Sequence, residues 1–344
     1  MNNFKVHVVC MTYNHSPYIV ETLNGFTVQK TSFPYVCVVI DDDSTDGEQE
    51  VIKRYIKENF DLDDPTVARN EETDDYILTF AKHKTNHNCF FAVYYLKYNH
   101  YSIKKSKNPY YERWTQTKYR ALCEGDDYWT DPYKLQKQVD YLESHPECGM
   151  VYTQAKQYDQ ETGEIFKGTA GQTNFMDLLC ISNKVMTLTV MFRTALYSKC
   201  LKEFTLPIGY KCYDIHFWLY ISKHSDIHYI DEITAVYRIL KNSASHNSDT
   251  TKLAAFIIDL YEIRFFYANH YGYTDLFKDY TKKTINDLFR LSAQRNTNIS
   301  YMIFLFAKKK KALSFPVLLK CLFYSTRIGR CYHRRKYPDT ITMY

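Results

Sequence analysis

The ten cysteines of this 344-residue chain are informative for the pairing they lack. None is followed three residues later by another, so no Cys-x-x-Cys motif marks a zinc site, and no disulfide framework is indicated. Reduced thiols of a cytoplasmic protein are the simplest expectation. Long apolar runs are missing too: no uninterrupted stretch approaches the roughly 20 residues a membrane span needs. The chain goes straight into Phe4-Lys5-Val6-His7-Val8-Val9, so no signal peptide is expected. Acidic residues are scarce in one region only. Residues 301–344 hold ten lysines and arginines against one acid, Asp339, a balance of +9. The whole chain carries +5, so residues 1–300 carry −4, which disfavours nucleic-acid binding.

Carboxylates gather in two places. Tyr35-Val36-Cys37-Val38-Val39-Ile40 is a β-branched apolar run of the kind a buried parallel strand needs, and it ends in Asp41-Asp42-Asp43-Ser44-Thr45-Asp46-Gly47. Val51, Ile52, Tyr55, Ile56 and Phe60 then recur at helical spacing. The second cluster is Glu124-Gly125-Asp126-Asp127-Tyr128-Trp129, directly after the short run Tyr119–Cys123. Neighbouring carboxylates repel, and a fold keeps them together mainly where a hard cation holds them; loops at strand ends are where open α/β sheets bind ligands. A solvated acidic turn is the alternative, since Gly and Asp are ordinary turn residues. An earlier unit has the same form without the acids: Lys5–Met11 is strand-like, Thr12–His15 is a turn, and Ser16-Pro17 reads as an N-cap with proline at the first helical position.

These blocks carry a resemblance. Met11-Thr12-Tyr13-Asn14-His15, Gln29-Lys30-Thr31 with Phe33-Pro34, Asp41–Gly47, Ala121–Pro132 and Lys134–Val139 together resemble family 2 glycosyltransferases of the GT-A fold, the group that builds bacterial surface polysaccharides. The likeness covers roughly residues 4 to 240. It implies an α/β fold, a GT-A (Rossmann-like, nucleotide-binding) domain with a mixed central sheet over 1–250; the helical spacing and positive charge beyond it read as a helical, basic C-terminal extension over 251–344.

The resemblance also implies roles. Thr12, Tyr13, Asn14, Asp41 and Asp42 would hold the nucleotide of a sugar donor, a UDP-sugar being favoured because a carboxylate accepts a uracil N–H or a ribose hydroxyl. Asp126 falls at the metal position of the family's Asp-x-Asp motif, with Asp127 as an alternate or supporting ligand and Glu124 in place of the first Asp. Mg2+ or Mn2+ is the implied ion, since oxygen-only ligands select hard cations and the charge neutralises the leaving diphosphate. Asp214, followed by Ile215-His216-Phe217-Trp218, fits the family's general base, which takes the acceptor hydroxyl's proton as the sugar is transferred with inversion. A plain helix N-cap is the other reading of Asp214. Phe217 and Trp218 could raise its basicity or stack on a sugar. Tyr237-Arg238 matches a segment that usually reads Tyr-Arg-x-His; Arg238 becomes a phosphate candidate, Leu240 stands at the His position, and His246 lies close by.

Residues 62–118 are longer than the family commonly needs, with an acidic stretch, Asn70–Asp75, expected as a loop, a core strand at Tyr94–Tyr98 and a helix opened by Pro109. Ile227–Ile230 and Ile233–Arg238 read as two strands. The 33 tyrosines and 21 phenylalanines are either sugar platforms or a coding bias that fills core and surface with aromatics. Leu253–Tyr267 and Tyr280–Leu291 are helical. The basic, aromatic tail suits either an anionic inner membrane face, with a growing lipid-linked glycan as acceptor and a peripheral location on the cytoplasmic side, or a packed helical extension. A nucleotidyltransferase, or a catalytically silent glycan- or membrane-binding scaffold on this fold, are the rival readings.

Overall fold

A computed structural model describes residues 4–204, 212–241, 243 and 247–336; His246 lies outside them. The described residues form two compact units, one of residues 4–174, 184–204 and 220–238, the other of 175–183, 212–219 and 239–336.

The apolar runs become strands. β1 (Val6–Thr12) and β2 (Tyr35–Asp41) alternate with α1 (Ile19–Thr27) and α2 (Glu48–Asn59). A short β3 (Phe60–Asp61), β4 (Arg69–Glu72), β5 (Tyr76–His83) and the wholly buried β6 (Cys89–Leu96) follow. Next come α3 (Asn108–Glu112), with Pro109 in its first turn, β7 (Tyr119–Leu122), β8 (Tyr128–Trp129) and α4 (Lys134–Ser144). β9 (Cys148–Asp159) and β10 (Ile165–Lys167) precede α5 (Phe175–Cys180), a helix of the second unit. β11 (Met191–Arg193), α6 (Thr194–Glu203), α7 (Asp214–His224) and β12 (Asp226–Ile239) complete this part of the chain.

The strands make one mixed sheet in the order β3-β5-β6-β2-β1-β7-β11-β9-β12-β8, with β4 on β5 and β10 on β9. Its centre is parallel: β6, β2, β1 and β7, with Thr12 opposite Asp41 and Asp41 opposite Tyr95. Parallel strands share one carboxyl edge, so the loops after Thr12, Asp41, Leu96 and Leu122 gather there, where open α/β sheets take ligands. α1 packs on β8 so closely that a Cβ on Gly25 would lie 2.8 Å from the Trp129 backbone nitrogen. Many tyrosines are core: Tyr35, Tyr94, Tyr119, Tyr152 and Tyr220 are almost wholly buried.

Four local expectations change. α1 starts at Ile19 after an uncapped Tyr18, because Ser16 donates its N–H to Asp46 and stays in a turn. Asn70–Glu72 is strand, not loop: β4 pairs with β5 at the sheet edge, where acidic side chains stay in water. The core strand runs over Cys89–Leu96 rather than Tyr94–Tyr98. The two strands expected over 227–238 are the single β12.

The second unit is helical, built on α8 (Thr250–His270), α9 (Phe277–Gln294), α10 (Ser300–Lys309), α11 (Phe315–Ser325) and α12 (Arg327–Lys336). Asp249 caps α8 by accepting the Thr251 N–H at 2.8 Å. Tyr261 of α8 anchors the packing, its ring 4.9 Å from Phe306 and 5.6 Å from Phe277.

Candidate active site

Hydrogen bonds between loops, rather than within them, shape the carboxyl edge of the first unit. Asn14 adopts a left-handed backbone (φ 58°), donates its N–H to Ser44 Oγ at 2.9 Å and accepts the Thr45 N–H at 2.8 Å. Asp43 is left-handed as well (φ 60°); Asn and Asp are the side-chain-bearing residues that adopt this region most readily. Beneath them lies Glu48, fully buried, which accepts the Thr12 hydroxyl, the His15 N–H (2.9 Å) and the Ser44 hydroxyl (2.9 Å). Burial raises its carboxyl pKa, against the pull of those bonds. The sequence pattern did not single out Glu48; its one available signal was a carboxylate directly after Gly47. Tyr13 stands exposed beside this network.

The two leading aspartates do different work. Asp41 accepts the Ser44 N–H (3.1 Å) and the Gln49 amide (2.7 Å) on Oδ1, while Oδ2 is buried without a hydrogen-bond partner among the described residues, and burial raises its pKa. A buried acceptor left open is uncommon and calls for an explanation. Asp42 is saturated: it accepts the His100 N–H (2.8 Å) and the Tyr101 N–H (3.2 Å) and pairs with the Lys107 ammonium, and its carbonyl takes the Asn99 amide at 2.9 Å. Asp42 thus holds the 97–107 segment to the sheet edge.

Glu124, Asp126 and Asp127 each offer an oxygen within 4.8 Å of the others, with Glu124 exposed, Asp126 half-buried and Asp127 buried. Burial first, then the negative Asp126 and Glu124, push the Asp127 pKa well up; the Arg238 N–H, 2.8 Å from Oδ1, opposes this. Gly125 lets this loop press on β1: a Cβ there would stand 2.0 Å from Thr12 Oγ1. The Thr22 hydroxyl holds the carbonyls of Gly125 (2.9 Å) and Asp127 (2.7 Å). His15 Nε2 lies 3.9 Å from Asp126 Oδ2. The three carboxylates form an all-oxygen donor set of the kind that suits a hard divalent cation.

Arg238 is enclosed. Its guanidinium donates to the Asp126 carbonyl (2.9 Å) and Gln160 (2.7 Å), pairs with Glu21, and lies over the rings of Tyr18 (4.6 Å), Tyr128 (5.3 Å) and Tyr158 (5.6 Å). It braces the carboxylate loop from behind. Lys134, also fully buried, lies 4.5 Å over Trp129 and donates to Gln138 (2.7 Å); burial lowers its pKa to about 7.

Asp214 belongs to the second unit and opens α7, half-buried, accepting the Ile215 N–H at 2.9 Å. Phe217 and Trp218 behind it are buried packing residues, and the His216 imidazole, 2.9 Å from the Tyr267 hydroxyl, is held by burial at a pKa of about 4.

Residues 7–80 match the sequence model of glycosyl transferase family 2. Over that segment the chain resembles the family, and its mixed sheet with surrounding helices has a GT-A-like fold. An uncharacterized protein of Mycobacterium tuberculosis is 27% identical over 255 residues, 71% of this chain and 62% of that protein, and one of Mycobacterium bovis matches to the same extent. The chain spans about 62% of the length of the curated relatives it matches. Among solved structures, S. aureus TarS in complex with UDP-GlcNAc superposes with a TM-score of 0.50 at 15% identity, covering 97% of this chain and 92% of that one. The mannosyltransferase PcManGT from Pyrobaculum calidifontis, in complex with GDP-Man and Mn2+, gives 0.49 at 14% identity over 98% and 88%. At such identity the TarS likeness is one of fold.

Proposed function

We propose that this protein is a glycosyltransferase that moves a sugar from a nucleoside-diphosphate donor, a UDP-sugar being favoured, to a hydroxyl of a growing glycan with inversion. The observation that carries the reading is the meeting, on one sheet edge, of Asp41 with its open buried oxygen and the Glu124–Asp126–Asp127 carboxylates against Thr12. A uracil N–H or a ribose hydroxyl would supply the donor that Asp41 Oδ2 lacks. Asp126 and Asp127, with Glu124 beside them, would hold Mg2+ or Mn2+, which when bound neutralises charge on the leaving diphosphate. Thr12, Tyr13 and Asn14 would line the nucleoside. Asp42 and Arg238 support the site through the segments they hold, Asp42 the 97–107 segment and Arg238 the carboxylate loop, in place of the direct ligand contacts the resemblance implies. Asp214 is the general base, and the acceptor is a hydroxyl of a lipid-linked surface glycan.

The test is a screen of nucleotide-sugars with Mn2+, reading thermal shift and then the products. Free nucleoside diphosphate released with a donor supports transfer; pyrophosphate would mean a nucleotidyltransferase, and a thermal shift with neither product a silent sugar-binding scaffold.

A further inference from the structure

α11 contains a single charged side chain, Lys320. One side of the helix is packed: Cys321 and Tyr324 are buried, and the Tyr324 ring lies 4.8 Å from Phe289 of α9. The opposite side is apolar too. Phe315, Leu318, Leu319 and Leu322, spaced so that they share one helical face, are 72, 37, 49 and 61% exposed. Soluble proteins rarely leave a contiguous apolar stripe in water, and such a stripe marks a contact surface. The helix is rigidly placed within its unit. Arg330 donates to the carbonyls of Tyr324 (2.8 Å) and Ser325 (2.9 Å) and to Asn296 (3.2 Å), and a Cβ on Gly329 would lie 2.1 Å from the Phe323 carbonyl oxygen. These contacts fix α12 against the end of α11, with Ile328 and Tyr332 exposed among the exposed cations Arg327, Arg334 and Arg335.

We propose that the outer face of α11, continued by α12, docks on a bilayer surface rich in anionic phospholipid. Charge selects this occupant: the stripe lies in the segment with ten cations and one acid, so a second copy would set +9 against +9, whereas anionic headgroups above acyl chains match both the charge and the apolar stripe. Eleven residues of α11 cannot cross a bilayer, and no described helix is long and apolar enough to do so, so the helix lies in the interface plane. The inference uses no residue of the sugar-transfer site and stands apart from that reading.

The experiment is flotation of the full chain with vesicles of phosphatidylcholine alone or mixed with phosphatidylglycerol, at low and high salt. Wild type should partition about tenfold or more in favour of the anionic vesicles at low salt. The double variant Arg327→Glu/Arg334→Glu should lose that preference, and Leu318→Ser/Leu322→Ser should lose binding to both vesicle types. Melting temperature and sizing of each variant accompany the assay. If the leucine pair unfolds, Leu319→Gln alone repeats the test at an exposed position. Equal binding of wild type to both vesicle types, or leucine variants that bind as wild type does, overturns the proposal. So does a wild-type dimer that the leucine variants dissociate, which would assign the stripe to a second copy.

Discussion

Gly125 is the residue whose size decides how the Glu124–Asp127 loop meets Thr12 at the end of β1. Any Cβ would collide with Thr12 at both Oγ1 (2.0 Å) and Cβ (2.5 Å), and Thr12 cannot retreat because Glu48 and the strand hold it. Gly125→Ala should therefore lower stability by about 1–3 kcal/mol, as forced overpacking does, and weaken donor binding by pushing the carboxylates outward. Urea unfolding with a matched nucleotide titration measures both; a midpoint and an affinity equal to wild type would mean that the loops do not touch in solution. Glu48 works differently, gathering three donors from three residues, so its value lies in the geometry it imposes on Thr12, His15 and Ser44.

Among elements, those with strong local signals were legible in the sequence. β2 is an apolar run and β1 a mostly apolar one, each ending in a polar loop, and α2 follows its glycine with helical spacing. The start of α1 was not, because Ser16 uses its N–H on Asp46, thirty residues away, instead of capping locally. β4 was hidden for a related reason: it is held by pairing with β5, by Arg113 on Glu71 at 2.9 Å and by Arg69 over Phe80 at 4.9 Å, none of which leaves an apolar pattern in Asn70–Glu72. In the site, the acidic clusters were visible as composition, while the saturation of Asp42 and the enclosure of Arg238 depend on partners as far away as Lys107 and Glu21.

α4 begins with an element-scale cost. Lys134 is buried there with a pKa of about 7, against about 10.4 in an unfolded chain. Between those values the unfolded state binds the extra proton, so this group's contribution to stability rises as pH rises from about 7 to about 10, by up to about 1.4 kcal/mol per pH unit. Buried thiols such as Cys10 and Cys123, whose pKa values are raised, pull the other way, so the informative quantity is the difference between wild type and Lys134→Met. Wild type should gain on the variant through that window, measured by denaturant unfolding at several pH values. A difference that does not change with pH would mean that Lys134 is charged in the folded state.

For the whole molecule, the proposed donor residues all belong to the first unit's stretch of chain and the proposed base, Asp214, to the second's. Binding and chemistry should accordingly come apart under mutation. Asp126→Asn removes one anionic ligand and should abolish metal-dependent donor binding while the fold persists. Asp214→Asn keeps the shape of the side chain, and its Oδ1 can still accept the Ile215 N–H, but an amide cannot take the proton of an acceptor hydroxyl. It should lose about 10² to 10⁴ in transfer rate, the usual effect of removing a general base, with donor affinity unchanged. Calorimetric donor titration beside a transfer assay on the same preparations makes the comparison. Transfer at the wild-type rate would place the base elsewhere, and loss of donor binding together with transfer would make Asp214 a residue of the nucleotide site or of the fold, leaving the α7 cap as its whole role.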